Sequence, residues 1–205
     1  TLEKTIYETA TNEEIVELDL FDLRPNPYQP RKVFDDEALT ELANSIKEHG
    51  VFQPIIVKKS IKGYEIIAGE RRVRASKLAG MEKIPAIVRD FTDEQMMEIA
   101  LLENLQRENL SAIEEAYAYK SMIENLHLTQ EELSKKVGKS RSHITNILGL
   151  LRLPVEVQKM VTLGKLSMAH ARILSKLENQ DKIMELSNRI INDKISVREL
   201  EEMTT

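Results

Sequence analysis

The stretch Leu128-Thr-Gln-Glu-Glu-Leu-Ser-Lys-Lys-Val-Gly-Lys-Ser-Arg-Ser-His-Ile-Thr-Asn-Ile-Leu-Gly-Leu-Leu151 admits few folds. Thr129 with Glu132 spells a capping box that opens one short helix, and Ser140 is placed to cap another beginning near Arg141. Between them Gly138 sits where the chain must bend sharply. Leu133, Val137, Ile144, Ile147 and Leu148 have the spacing needed to lock the two helices together. The layout is that of a helix-turn-helix at about residues 129–151. An ordinary helical hairpin is the competing reading, but glycine turn, caps and core spacing agree on one motif. Lys139, Ser140, Arg141, Ser142, His143 and Thr145, with Asn146 behind them, are side-chain types that hydrogen-bond phosphates and base edges. The second helix is therefore expected to read DNA.

Whole-chain charge argues against that expectation, and its distribution argues for it. The net charge is −5, which alone suggests no affinity for a polyanion. Residues 133–172, however, hold eight basic side chains (Lys135, Lys136, Lys139, Arg141, Arg152, Lys159, Lys165 and Arg172) against the single acid Glu156. With 29 basic and 34 acidic residues in all, the remainder carries 21 against 33, so +7 and −12 recover −5. One segment is suited to phosphate, and binding through it is expected to fall steeply with salt.

Composition places the rest. At 205 residues and 41% hydrophobic, the chain can build one large core or two small ones. No apolar run approaches the roughly 20 residues of a membrane span, and no basic-then-apolar leader is visible, so the cytoplasm is the expected home. Zero cysteines remove disulfides, thiol nucleophiles and zinc-finger sites together. Seven glycines and six prolines leave no low-complexity linker.

The first half reads as mixed α/β. Asp35 or Asp36 can cap a helix that carries Leu39, Leu42, Ala43 and Ile46 on one face and stops at Gly50. Ile55 to Lys58 and Tyr64 to Ile67 read as a hairpin joined through Ser60-Ile-Lys-Gly63, and Ile84 to Val88 as another strand. Thr92 with Gln95 is a capping box for a helix running towards Glu103. From Ser111, itself capping with Glu114, everything reads helical. The expected fold is α+β: a small mixed α/β domain over residues 1–110, then an all-α domain over residues 111–205.

Residues 69 to 75 read Gly-Glu-Arg-Arg-Val-Arg-Ala, directly after the apolar strand and at the start of a helical pattern reaching Leu78. A glycine turn there presents free backbone N–H groups, and Arg71, Arg72 and Arg74 add cations, so the junction suits an anion. A solvated surface or a set of ion pairs is the alternative. The junction is expected to be a phosphate cradle.

These motifs, in this order, resemble the ParB family of bacterial chromosome and plasmid partition proteins. The resemblance runs from about Glu14 to Glu202 and is carried by Arg24-Pro-Asn-Pro-Tyr-Gln-Pro-Arg-Lys-Val-Phe34, by Gly69-Glu-Arg-Arg72 and by Glu103-Asn-Leu-Gln-Arg-Glu-Asn-Leu110. It continues through the helix-turn-helix, Leu151-Arg-Leu-Pro154 and Leu166-Ser-Met-Ala-His-Ala-Arg172, whose wording looks like the chromosomal branch rather than the nucleoid occlusion factors. The resemblance implies CTP held with Mg2+: Gly69, Glu70, Arg71 and Arg72 against the triphosphate, Gln29 and Arg31 bordering the nucleoside, Glu103 and Asn104 on the metal side. Read alone, Glu103 and Asn104 could equally be surface residues at a helix end. A second DNA-reading element would comprise Ser167, Met168, Ala169, His170 and Arg172, although a lone His is more often a satisfied structural residue.

The resemblance further implies a homodimeric, CTP-gated clamp that loads at palindromic, centromere-like parS DNA and slides away, with slow regulatory hydrolysis and no assigned catalytic residue. Nucleoid association and a ParA-type ATPase partner follow, the latter through a segment not found here, and a carboxy-terminal dimerisation domain is also expected to be missing. A nucleoid occlusion factor and a plain helix-turn-helix regulator without nucleotide are the alternatives. Sulfiredoxin resembles the first half but needs a cysteine. Two positions depart from the family pattern: Val73, usually aromatic, and Gly149, commonly arginine.

Overall fold

The structure is a computed structural model that describes residues 13–28, 34–107 and 109–205. The chain folds as two compact units, Thr1–Asn104 and Leu105–Thr205.

The first unit is built on a five-stranded mixed sheet of β1 (Ile15–Asp19), β2 (Leu23–Arg24), β3 (Ile55–Ser60), β4 (Gly63–Ala68) and β5 (Lys83–Val88), in the order β1-β5-β3-β4-β2. The expected hairpin is present as the antiparallel pair β3 and β4, while β3 runs parallel to β5. As the central strand, β3 buries both faces: Ile55, Ile56 and Val57 are each 0% exposed. Each such side chain contributes roughly 1.5–3 kcal/mol on burial, so this strand anchors the unit.

Alternation along β3 sends these residues into different layers. Ile55 and Val57 join Ile66, Ile84, Ala86 and Val73 on one face, where α2 (Glu70–Leu78) packs. Ile56 joins Ile67, Ile87, Met96 and Ile99 on the other, against α3 (Asp93–Leu105). Helix α1 (Asp36–His49) packs on α2 through Leu39, Ala43, Ile46 and Ala75. It starts at Asp35, whose carboxylate accepts from the Glu37 and Ala38 N–H groups, and stops at Gly50. Both bonds of the Thr92–Gln95 capping box form, at 2.9 and 3.1 Å. Val73 is 2% exposed, so a β-branched aliphatic fills the core beneath α2 without an aromatic ring.

Strands β1 and β2 go beyond the sequence expectation. β1 is an edge strand whose side chains are alternately exposed and half-buried, with Ile15 56% exposed, so its pattern carries little apolar signal. β2 has two residues. A register shift between Ile56 and Val57 puts a bulge into β4 beside its end, immediately before Gly69.

The second unit is helical: α4 (Ala112–Leu126), α5 (Gln130–Val137), α6 (Arg141–Gly149), α7 (Val155–Thr162), α8 (Met168–Ser175), α9 (Gln180–Asp193) and α10 (Val197–Thr204). Capping boxes open α4 at Ser111, α5 at Thr129 and α10 at Ser196, and Ser140 and Ser167 cap α6 and α8. Gly138 takes φ 71°, the left-handed turn that ends α5. Leu133 and Ile144 are fully buried and Ile147 nearly so, whereas Val137 and Leu148 are half-buried. Helix α6 ends at Gly149, inside the expected span of about 129–151, and a short 3-10 turn, Leu150–Arg152, follows it. Among the described residues no helix is long and apolar enough to cross a membrane.

Candidate functional site

Two constellations carry the chemistry, one in each unit. In the first, β4 is followed by Gly69, which adopts φ 103°, and α2 begins at Glu70 with no side chain capping its first turn. A Cβ on Gly69 would meet Ile55 Cγ2 at 2.5 Å, so the backbone lies directly on the central strand. The first-turn N–H groups have no partner within the helix and carry its positive dipole end. Such a terminus accepts a phosphate without further side chains.

The arginines divide their work. Arg72 Nη1 donates to the Gln53 and Pro54 carbonyls at 2.7 and 3.1 Å, bracing the turn before β3. Arg74 lies 3.5 Å from Glu70 and stacks over the Phe34 ring at 4.3 Å. Arg71 is exposed and has no partner among the described residues. The ion-pair reading thus holds for Arg74, while the start of α2 has no side-chain cap and Arg71 is exposed. Gln29 and Arg31 lie outside the described residues. Asn26, in the same motif, is 3% exposed and fully engaged: Nδ2 donates to the Met96 carbonyl of α3 at 3.1 Å, and Oδ1 accepts from Tyr28 N at 3.0 Å. Glu103 and Asn104 are half-buried at the far end of that helix, and each is engaged in polar contacts. Among the described residues no group of three His, Asp or Glu side chains could hold a metal by itself. A carboxylate and an amide fit Mg2+ if phosphate oxygens and water complete its shell.

In the second unit, α6 exposes Arg141, Ser142 and Thr145, preceded by exposed Lys139 and Ser140. Thr145 Oγ1 also lies 2.8 Å from Gln130 Oε1, tying the outer face of α6 to α5. Helix α8 packs on α6 and exposes Ser167, Met168, Ala169 and Arg172, so the two suspected reading elements are neighbours. The two histidines differ from those surface residues. His170 Nε2 lies 2.9 Å from the Ile195 carbonyl and Nδ1 lies 2.7 Å from Ser167 Oγ, so both ring nitrogens serve the fold. His143 Nε2 lies 2.8 Å from Glu115 Oε1, an oxygen that also accepts from Tyr119 OH. Glu115 and Tyr119 give no sign of this role in the sequence, because α4 carries them 28 and 24 positions before His143.

Gly149 is buried in helical conformation, and a Cβ there would sit 3.7 Å from Ser175 Oγ and 3.8 Å from Arg152 Nη2, ordinary contact distances. Gly149→Ala is therefore expected to stabilise the chain by about 1 kcal/mol, the helix-propensity difference. Urea unfolding checks this, and a lower midpoint would show that the space is not available.

A glycine-fronted strand-to-helix junction on a mixed sheet, followed by a capped helix-turn-helix, defines a DNA-binding protein with a second, α/β unit. The ParB N-terminal domain matches residues 4–105 and the ParB HTH domain residues 108–205. The chain belongs to the ParB family. It is 55% identical over 193 residues to stage 0 sporulation protein J of Bacillus subtilis, covering 94% of this chain and 68% of that protein. A nucleoid occlusion protein of Lysinibacillus sphaericus is 48% identical, covering 94% of this chain and 65% of that one. The C-terminally truncated chromosome-partitioning protein ParB of Caulobacter crescentus, in complex with the centromeric parS site, superposes with a TM-score of 0.72 at 40% identity, over 92% of this chain and 98% of that one.

Proposed function

We propose that this chain is a nucleotide-gated, site-specific DNA-binding protein of chromosome partition. The observation that carries the reading is the uncapped, glycine-fronted start of α2 on the same chain as a cation-rich helix-turn-helix. The α2 amides and Arg71 receive the triphosphate of CTP, while Arg72 holds the cradle wall through Gln53 and Pro54. Bound Mg2+ neutralises phosphate charge, with Glu103 and Asn104 as its protein ligands. Asn26 keeps the nucleoside-side segment registered against α3, which bears that pair.

DNA is read by α6 and α8 from two copies related by a two-fold axis, matching a palindromic parS-like site and placing the protein on the nucleoid. CTP favours one arrangement of the pair over another, so that a closed clamp leaves its loading site and slides. Hydrolysis is slow and resets the switch. A ParA-type ATPase is the partner in partition. The relatives include nucleoid occlusion proteins, and the identity of the preferred duplex separates the two roles.

The test is equilibrium binding of CTP, with ATP, GTP and UTP as controls, in Mg2+ with and without a parS duplex. Tight binding of CTP alone, strengthened by the duplex, supports the switch. No nucleotide binding under any condition would leave a DNA-binding protein whose first unit has another task.

A further inference from the structure

Helix α6 packs on α4, and the two helices meet at a polar joint. Glu115, in the first turn of α4, uses a single oxygen, Oε1, for two partners: Tyr119 OH at 2.5 Å and His143 Nε2 at 2.8 Å. Tyr119 is 2% exposed, and its ring meets the imidazole edge-on, with centroids 6.3 Å apart at 80°. Burial, then the hydrogen bond and charge of Glu115, push the Tyr119 hydroxyl far above its ordinary range, so it stays a neutral donor. His143 stands on the first turn of α6, where its backbone N–H is held by Ser140 Oγ at 3.1 Å.

The chemistry of this joint bears on what His143 can do. A carboxylate oxygen only accepts, so the imidazole proton facing it resides on Nε2. Nε2 is thereby committed to the fold, and the ring is held against α4 by this bond and by its edge contact with Tyr119. We propose that His143 is a positioning residue of the DNA-reading helix, held by a Glu115–Tyr119 brace that fixes how Arg141, Ser142 and Thr145 are presented, rather than a DNA contact itself. The inference rests on the DNA-reading role of α6.

The test uses the 205-residue chain and compares a parS duplex with a scrambled duplex of equal length across a NaCl series. His143→Ala and Glu115→Ala are each expected to lower the parS-over-scrambled affinity ratio about tenfold, the effect of losing one charge-assisted hydrogen bond. The salt slope stays unchanged, because no phosphate contact is removed. The double variant is no worse than either single one, as expected for groups acting as a unit. Glu115→Gln retains an acceptor at Oε1 and recovers most of the ratio. Tyr119→Phe, which keeps the buried ring, lowers the ratio in the same direction and serves if Glu115→Ala fails to fold.

A neutral Glu115→Ala, additive effects, or a salt slope that falls by about one in His143→Ala would overturn the brace in favour of a direct contact. If the wild-type chain prefers neither duplex, the DNA-reading role itself has failed. The joint is then judged by amide hydrogen exchange in α6, which quickens in both single variants if the brace holds and is unchanged if it does not.

Discussion

Gly69→Ala is expected to destabilise the chain by about 2–6 kcal/mol and to raise the Kd for CTP at least tenfold. The first contribution is conformational. Gly69 holds φ 103° and ψ 25°, outside the regions open to a residue with a Cβ, and such backbone costs on the order of 1–3 kcal/mol. The second is steric: the new methyl would lie 2.5 Å from Ile55 Cγ2 and 3.1 Å from Ile55 Cβ. Ile55 cannot move aside, because it is fully buried in the central strand between β4 and β5. Overpacking of that kind adds roughly 1–3 kcal/mol.

Relief has to come from the start of α2, and that movement displaces the amides proposed to face the triphosphate. Urea unfolding and calorimetric titration with CTP measure the two halves of the effect. Arg71→Ala is the companion variant, since Arg71 is exposed and unpartnered among the described residues. It is expected to weaken CTP about tenfold, the loss of one charge-assisted contact, while leaving the unfolding midpoint in place. Gly69→Ala with unchanged stability and unchanged binding would show that the cradle is neither strained nor used.

The contrast between the two units explains what the sequence makes legible. Capping boxes at Ser111, Thr129 and Ser196 and the turn at Gly138 are local, with partners three or four residues apart, so the helical unit can be read residue by residue. Gly69 is legible for the same reason, as a glycine at a strand-to-helix junction. Long-range partners leave no such trace. Nothing near Arg72 announces that its guanidinium holds the Gln53 and Pro54 carbonyls 19 and 18 positions earlier. Nor does anything near Asn26 announce the Met96 carbonyl 70 positions away. His143 and His170 look like reading residues by position on their helices, yet each ring is bonded within the fold to a group that only the tertiary structure brings near. Strand β1 is hidden for a different reason: an exposed edge strand needs little apolar alternation because its pairing with β5 is made by the backbone.

DNA affinity is expected to fall about a thousandfold between 50 and 200 mM salt, a steepness that a chain of net charge −5 would not suggest. The cations of the second unit explain the difference. Lys135, Lys139, Arg141, Arg152, Lys159, Lys165 and Arg172 are all exposed, and none forms a salt bridge among the described residues. By contrast, Lys120, Arg189 and Arg198 outside that segment are paired with Glu124, Asp193 and Glu202 at 3.9, 3.8 and 3.6 Å. Unpaired cations displace counterions from DNA, each neutralised phosphate contributing about −0.9 to the slope of log K against log salt.

With about six phosphates neutralised, the slope is roughly −5, and a fourfold rise in salt costs about three decades of affinity. The acidic excess lies elsewhere in the sequence, and charges more than about 10 Å from a contact are largely screened at 0.1 M salt, so the net charge of the chain does not set the slope. Fluorescence anisotropy of a labelled parS duplex across a NaCl series gives the slope directly. Arg141→Ala lowers its magnitude by about one if Arg141 meets a phosphate, whereas an unchanged slope with relaxed discrimination places Arg141 on a base edge. A slope near zero would mean that this row of cations does not face DNA at all, and the DNA-reading assignment of α6 and α8 would go with it.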